Sequence, residues 1–75
     1  MILTIKDSRG QLLAKDILDI DFDMSVSRVG EEYILNLNQN YIFSENFGSR
    51  EEAEEQMMRI VDSRNSIEAK LYSEL

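Results

Sequence analysis

The sequence predicts an α+β fold in which one C-terminal helix covers one face of an antiparallel sheet of four or five strands. Three observations predict it. Short runs of alternating apolar and polar residues, separated by turn-forming residues, fill about the first 45 positions. After a capping sequence at Ser49 the apolar spacing becomes helical. The 75 residues, 43% of them hydrophobic and none of them proline, suit one small domain over 1–75 with a thin core.

The first two predicted strands form a hairpin. Residues Met1 to Lys6 alternate, with Leu3 and Ile5 on one face. Residues 7–10, Asp-Ser-Arg-Gly, supply the turn because Asp and Ser side chains bond to nearby backbone and Gly accommodates a positive φ. The chain from Gln11 to Lys15 then returns beside the first strand.

The clearest predicted strand comes next. Apolar residues take every second position over 18–26, and Asp or Ser takes the positions between them, ending at Ser27. A strand with this pattern has one dry face and one wet face. The wet face carries the carboxylates of Asp19, Asp21 and Asp23.

Two further strands complete the predicted sheet, which is a meander. Gly30 marks the reversal into a strand over Tyr33–Leu37. Residues 38–40, Asn-Gln-Asn, form the next reversal because Asn adopts the left-handed conformations that tight hairpins need. Tyr41–Glu45 is the last strand. The predicted dry face and the helix residues opposite it are Leu3, Ile5, Leu18, Ile20, Phe22, Met24, Leu35, Leu37 and Phe43, against Ala53, Met57, Ile60 and Val61.

The predicted helix begins at about Arg50. Residues 49–52, Ser-Arg-Glu-Glu, match a capping box, in which the Ser49 hydroxyl accepts from the third helical amide and Glu52 reaches back to the amide of Ser49. Glutamates crowd the first turns, where the helix dipole favours negative charge. Apolar residues at helical spacing follow, namely Ala53, Met57, Ile60, Val61, Ile67 and Leu71.

The path of residues 63–75 has three interpretations, because Arg64 falls at the centre of the apolar stripe. The helix covers the sheet only as far as about Val61, with Arg64 extending to water at the edge. Alternatively, it breaks within 63–66 and a second short helix follows. In the third interpretation, it continues past its own sheet and packs against another protomer. Each leaves more apolar surface than a solvated tail needs, which favours self-association.

The composition excludes most catalytic chemistry. The chain has no Cys and no His, so thiolate nucleophiles, zinc–thiolate sites and His-centred triads are excluded. The glycines stand alone at positions 10, 30 and 48, which excludes a phosphate-binding loop or a dinucleotide motif. We therefore predict no enzymatic activity, no cofactor and no metal site.

The three strand carboxylates are not predicted to bind a metal. Neighbours among Asp19, Asp21 and Asp23 would lie about 6.6 to 7 Å apart along a strand, too far for a shared proton. A calcium loop would need a glycine after them and an acidic residue at its twelfth position, where this sequence has Met24 and Gly30. They are instead predicted to form a solvated face or a protein-contact surface.

The charge of the chain limits its partners. Fifteen acidic and eight basic residues give a net charge of −7. Nucleic-acid binding relies on clustered Lys and Arg, which are not found here, so we expect no direct nucleic-acid binding. The first residues are apolar over only a few positions and lack a basic leader. This pattern indicates neither a signal peptide nor a membrane span and favours a cytoplasmic location.

Two functional hypotheses follow. The first is a small non-catalytic acidic accessory module that binds a protein of unknown identity and self-associates as a homodimer. The alternative is an acidic inhibitor that mimics nucleic acid and occupies the basic site of a host or phage nucleic-acid enzyme. The candidate protein-contact residues are Asp19, Asp21, Asp23, Met58, Ile67, Leu71 and Leu75.

The second half of the chain also carries a resemblance. It contains the predicted strands Tyr33–Leu37 and Tyr41–Ser44, followed by residues 47–55, Phe-Gly-Ser-Arg-Glu-Glu-Ala-Glu-Glu. This half resembles the ending of small uncharacterised bacterial and prophage-encoded proteins built as a strand meander plus one helix, which often close with a hairpin and a Ser-x-Glu-Glu-Ala helix start. The resemblance implies an accessory protein from a class without a common activity, and it implies no catalytic or binding residues.

Overall fold

The computed structural model of the protein describes residues 1–73. These residues form a five-stranded antiparallel sheet with one C-terminal helix, which confirms the predicted α+β fold. A short 3₁₀ helix, Ile17–Asp19, lies between the second and third strands. The elements are β1 Ile2–Lys6, β2 Leu12–Asp16, β3 Ser25–Val29, β4 Glu32–Asn36, β5 Ile42–Phe43 and α1 Arg50–Ser73.

The strand order across the sheet is β2-β1-β5-β4-β3, so the strands do not follow one continuous meander. β1 and β2 form a hairpin, and β3, β4 and β5 form a three-stranded meander. The two units join where β5 pairs with β1, with Ile5 opposite Phe43. β1 therefore lies inside the sheet, and β2 and β3 form its edges.

The first two predicted turns form where the sequence places them. Asp7 Oδ1 accepts hydrogen bonds from the amides of Arg9 and Gln11, at 2.9 and 3.0 Å. Gly10 follows with a φ of 78°. Gly30, with a φ of 64°, is the first residue of a two-residue loop between β3 and β4, as in type II′ hairpins.

The long strand predicted over 18–27 is wrong in its first half. The chain makes the 3₁₀ turn, is extended at Ile20, and then continues without a ladder as far as residue 24. The reason is its neighbour, since β4 ends and the chain turns away into β5. The Asp23 amide still donates to the Leu37 carbonyl at 3.0 Å, and the paired ladder begins two residues later. Side chains still alternate between inward and outward positions here: Ile20 is buried, and Asp19 and Asp21 on either side of it are exposed.

The core lies between α1 and one face of the sheet. Most of the predicted core residues are buried there or pack against it. The partly buried ones are Leu18, Phe22, Met24, Phe43 and Met57. Ile17 was not predicted, because strand alternation would place Leu18 inward and Ile17 outward. The 3₁₀ helix turns Ile17 fully into the core instead. The buried cluster consists of Leu3, Ile5, Ile17, Ile20, Leu35, Leu37 and Ile60.

α1 is continuous from Arg50 to Ser73, without a break at residues 63–66. Its start is capped as predicted, with the Glu52 amide donating to Ser49 Oγ at 3.2 Å. The Glu52 carboxylate accepts from the Gly48 amide at 3.3 Å, one residue before the position that a capping box predicts.

Arg64 occupies the centre of the apolar stripe without leaving its charge buried. Its guanidinium lies 4.8 Å from the centroid of the Phe22 ring, and its Nε donates to Glu68 Oε1 at 3.2 Å. One turn further on, Ile67 packs against the core. The helix therefore continues to pack against its own domain beyond Val61.

Candidate functional site

The sheet has a second face that α1 does not cover. Strand alternation sends Leu3 and Ile5 of β1 into the core and the other β1 side chains to the opposite side. The strand register extends this opposite side across all five strands. We call it the open face, and its strand positions are Ile2, Thr4, Lys6, Leu12, Ala14, Asp16, Ser25, Ser27, Val29, Glu32, Ile34, Asn36 and Ile42.

Aliphatic side chains lie exposed on the open face. Ile2 is 62% exposed, Leu12 60% and Val29 58%, whereas Ile34 and Ile42 are half-buried by their neighbours. The water-facing side of an antiparallel sheet is normally polar. The open face is therefore more apolar than a solvated sheet surface requires.

The register arranges the open face in three rows that cross the strands. One row passes through β5. On the four longer strands, the second row lies two residues from the first, and the third row lies four residues from it. The Ser44 amide donates to the Thr4 carbonyl at 3.3 Å, which places Ser44 beside Thr4 in the central row. The Lys6 row is Leu12, Lys6, Ile42, Asn36 and Ser25, the central row is Ala14, Thr4, Ser44, Ile34 and Ser27, and the carboxylate row is Asp16, Ile2, Glu32 and Val29.

Polar side chains on the open face hydrogen-bond to one another. Asn36 Nδ2 donates to Ser25 Oγ at 3.2 Å and to Ser27 Oγ at 2.7 Å. Asn46, just beyond β5, donates through Nδ2 to Glu32 Oε2 at 2.7 Å. Groups that already have partners lose less free energy when a surface covers them.

The open face carries little of the chain's charge. Its one cation, Lys6, and its two carboxylates, Asp16 and Glu32, sum to −1 of the net −7. Exposed glutamates such as Glu51 and Glu54 belong to α1, on the other side of the sheet. The most acidic surfaces and the most apolar surface are therefore separate.

The three aspartates predicted as a contact surface are exposed, but they do not lie on a strand. Asp19 ends the 3₁₀ helix, and Asp21 and Asp23 lie in the extended segment before β3. Asp21 and Asp23 border a shallow depression together with Asn38 and Asn40. Within residues 1–73, no three acidic side chains are grouped so that they could hold a metal ion.

The apolar residues predicted as contacts lie in different environments. Met58 is 52% exposed on the outward side of α1, beside Glu55. Leu71 is 50% exposed near the end of α1, whereas Ile67 is half-buried against the core. Leu75 lies outside the described residues. No helix in residues 1–73 combines the length and the apolar character that crossing a membrane needs.

Sequence reasoning did not include the open face among the contact residues, although the sequence contains a signal for it. Ile34 and Ile42 each lie between two other apolar residues. A strand that is apolar at consecutive positions has apolar side chains on both faces. The contact residues predicted from the sequence include neither of these outward isoleucines.

Comparison with known proteins adds no relative. No known protein family, curated protein or solved structure matches the chain. The resemblance to small bacterial and prophage-encoded proteins therefore stays a prediction.

Proposed function

We propose that the protein is a small, non-catalytic, acidic accessory module that acts in the cytoplasm through protein contact and self-associates as a homodimer. The observation that supports this most strongly is the open face, a sheet surface with exposed aliphatic side chains and little charge. The absence of Cys and His from the sequence supports the non-catalytic part. A surface with a single lysine does not suit a phosphate backbone, so its partner is a protein.

Covering the open face stabilises the complex through apolar burial. A fully buried Val, Leu or Ile side chain contributes about 1.5 to 3 kcal/mol relative to full exposure. Ile2, Leu12 and Val29 are each more than half exposed, so each has roughly 1 to 2 kcal/mol still to contribute. Together with the half-buried isoleucines, these side chains offset part of the entropy lost on association.

Sedimentation velocity of the wild type and two lysine variants tests the proposal. Ile34→Lys places a charge at the centre of the open face, and Met58→Lys places the same charge on the outward side of α1 as the matched control. We expect the wild type and Met58→Lys to dimerise between about 10 μM and 1 mM. Ile34→Lys should stay monomeric with an unchanged circular dichroism spectrum. A monomeric wild type, or equal behaviour of the two variants, would refute the proposal.

A separate observation supports the acidic-inhibitor alternative. The ion pairs within residues 1–73 are Arg9–Asp7 and Arg64–Glu68, which leaves the carboxylates at 19, 21 and 23 available to a basic surface. A complex that depends on such carboxylates weakens steeply with salt. Affinity capture from cell extract at low and high salt, with the triple Asp→Asn variant alongside, tests it. Loss of a captured nucleic-acid enzyme with both salt and the variant would favour this alternative over the first proposal.

A further inference from the structure

We infer that a second copy of this chain occupies the open face, stacked face to face about a two-fold axis that crosses the strands. The inference rests on the proposed function and specifies which residues meet. The axis follows the central row. The Lys6 row of each copy then lies over the carboxylate row of the other.

The positions of the charges select this axis. Aligned packing of two sheets requires a two-fold axis that runs nearly along the strands or nearly across them, and both choices make the same surface contact itself. Along the strands, Asp16 would lie over Val29 of the second copy and Glu32 over Ile2. Such contacts bury carboxylates without a cation, which costs free energy. Across the strands, Asp16 lies over Leu12 of the second copy and beside its Lys6, and symmetry repeats this ion pair. Glu32 then lies over Asn36 of the second copy and keeps its hydrogen bond from Asn46.

Local geometry leaves both partners of this ion pair able to meet. Lys6 lies on β1 and Asp16 lies on the neighbouring β2, so in the stacked dimer Lys6 of one copy and Asp16 of the other are offset in the plane of the sheets by one strand spacing, about 4.8 Å. Stacked sheets lie about 10 Å apart, a gap that the long lysine side chain can cross. Asp16 Oδ1 accepts from the Leu18 amide at 3.0 Å, and its second oxygen remains for the lysine.

The central row suits the position on the axis. Ala14, Thr4 and Ser27 are small, so the two sheets can approach closely there. Ile34 is the largest side chain of the row and contacts Ile34 of the second copy. The side-chain amide of Asn36 already donates to the hydroxyls of Ser25 and Ser27, so both of its N–H groups keep a partner when the second copy covers them.

The size of the open face sets the strength of the dimer. Five strands about 4.8 Å apart, four of them five residues long and β5 two, cover at most roughly 24 by 17 Å, or about 400 Å² per copy. Standard protein interfaces bury about 800 Å² per partner, so this dimer is weak and reversible. The assembly has four layers, helix, sheet, sheet and helix. Both acidic helices lie outermost, which keeps their charges apart.

A double-mutant cycle on the Lys6–Asp16 pair tests the stacking. Lys6→Gln removes the cation, and Asp16→Asn removes the anion but retains an acceptor for the Leu18 amide. We expect each single change to weaken the dimer by about 3- to 10-fold, and the double variant to be no weaker than either single one. Sedimentation equilibrium measures all four constants.

Two controls isolate the ion pair from net charge and from folding. Asp19→Asn removes the same charge outside the open face, so we expect it to leave the dimer unchanged or to strengthen it by reducing the repulsion between acidic copies. Asp16→Asn reduces the same repulsion, so a weaker dimer in this variant reflects the loss of the ion pair. Lys70→Gln is the matching control for Lys6→Gln, and this pair alone decides the test if thermal melting shows that Asp16→Asn does not fold.

The outcomes distinguish this inference from the proposed function. Weakening in both single variants without further weakening in the double variant supports the stacking. A dimer whose two single effects simply add, or whose strength is unchanged by Lys6→Gln, overturns the stacking and leaves the proposed self-association intact. A wild type that stays monomeric at about 1 mM overturns both.

Discussion

At the scale of single residues, Ile20 shows that a core position needs no strand ladder. Its backbone is extended, with φ −106° and ψ 125°, but lies outside the five strands. Its side chain is 2% exposed. The Ile20 side chain is held by packing between α1 and the sheet. The free energy of unfolding that is lost when this side chain is truncated therefore measures that packing directly.

Ile20→Ala should destabilise the fold by about 2 to 5 kcal/mol, through lost burial and the cavity left behind. Total stability for a chain of this size is on the order of 4 to 11 kcal/mol, so this loss is a large fraction of the total. Met58→Ala, at an exposed position, should change stability by less than about 0.5 kcal/mol. Urea denaturation measures both. If Ile20→Ala melts within a few degrees of the wild type, the core assignment is wrong.

Asp7 gives a residue-scale prediction in pH. The Gln11 amide that donates to Asp7 holds the pKa of this carboxyl below its usual 3.8, and the Arg9 amide and guanidinium lower the pKa further against an opposing effect of desolvation. A lowered folded-state pKa means that the carboxylate stabilises the fold fully above its usual pKa. This contribution is lost as the pH falls through the lowered value.

Asp7→Asn keeps an acceptor for the two turn amides and removes the charge. We therefore expect the wild type to be more stable than the variant at neutral pH, and the difference to shrink as the pH falls below the usual pKa of 3.8 and through the lowered folded-state pKa. Urea titrations of both proteins at neutral pH and at a series of acidic pH values measure it. The same difference at neutral and at acidic pH would contradict the assigned role of the charge.

At the scale of elements, the turns and the helix were predictable because their signals are local. Asp7, Gly30 and Ser49 each act on backbone groups within a few residues. The strand predicted over 18–27 depended on a partner strand whose end no local pattern reveals. Alternation fixes which side chains face inward, but it does not fix whether a neighbour is present to pair with the backbone.

The β3–β4 hairpin gives an element-scale prediction. Gly30 has a φ of 64°, and an added Cβ there would meet no neighbouring atom within 4 Å. The cost of Gly30→Ala is therefore conformational, about 1 to 2 kcal/mol. Gly48→Ala is the matched control, since Gly48 has no positive φ and its Cβ would make ordinary contact with Glu52 at 3.7 Å. Thermal unfolding compares them, and equal effects would contradict the turn assignment.

At the scale of the whole molecule, the protein is a thin plate with two layers. The Cα extents are 47, 26 and 16 Å, and the long axis reflects the 24-residue helix. One layer is α1 and the other is the sheet, so half of the sheet surface faces outward. Small domains bury only roughly 60% of the surface of the unfolded chain, and a second copy would raise that fraction.

The candidate site could be predicted only in part from the sequence. Asp19, Asp21, Asp23 and Met58 are exposed, as a pattern of charge and amphipathicity indicates. The open face could not be assembled from the sequence, because it depends on β5 returning beside β1. That pairing brings Lys6 and Ile42 into one row, although they are far apart in the chain.

The central claim is that two copies meet through their open faces. Isotope-filtered NMR on a mixture of labelled and unlabelled chains, at a concentration where the dimer forms, tests it most directly. We predict intermolecular nuclear Overhauser effects from the methyl groups of Ile34, Ile42 and Ile2, and none from the methyl group of Met58. Intermolecular effects confined to Met58 and Leu71 on α1 would contradict the claim and move the interface to the helix.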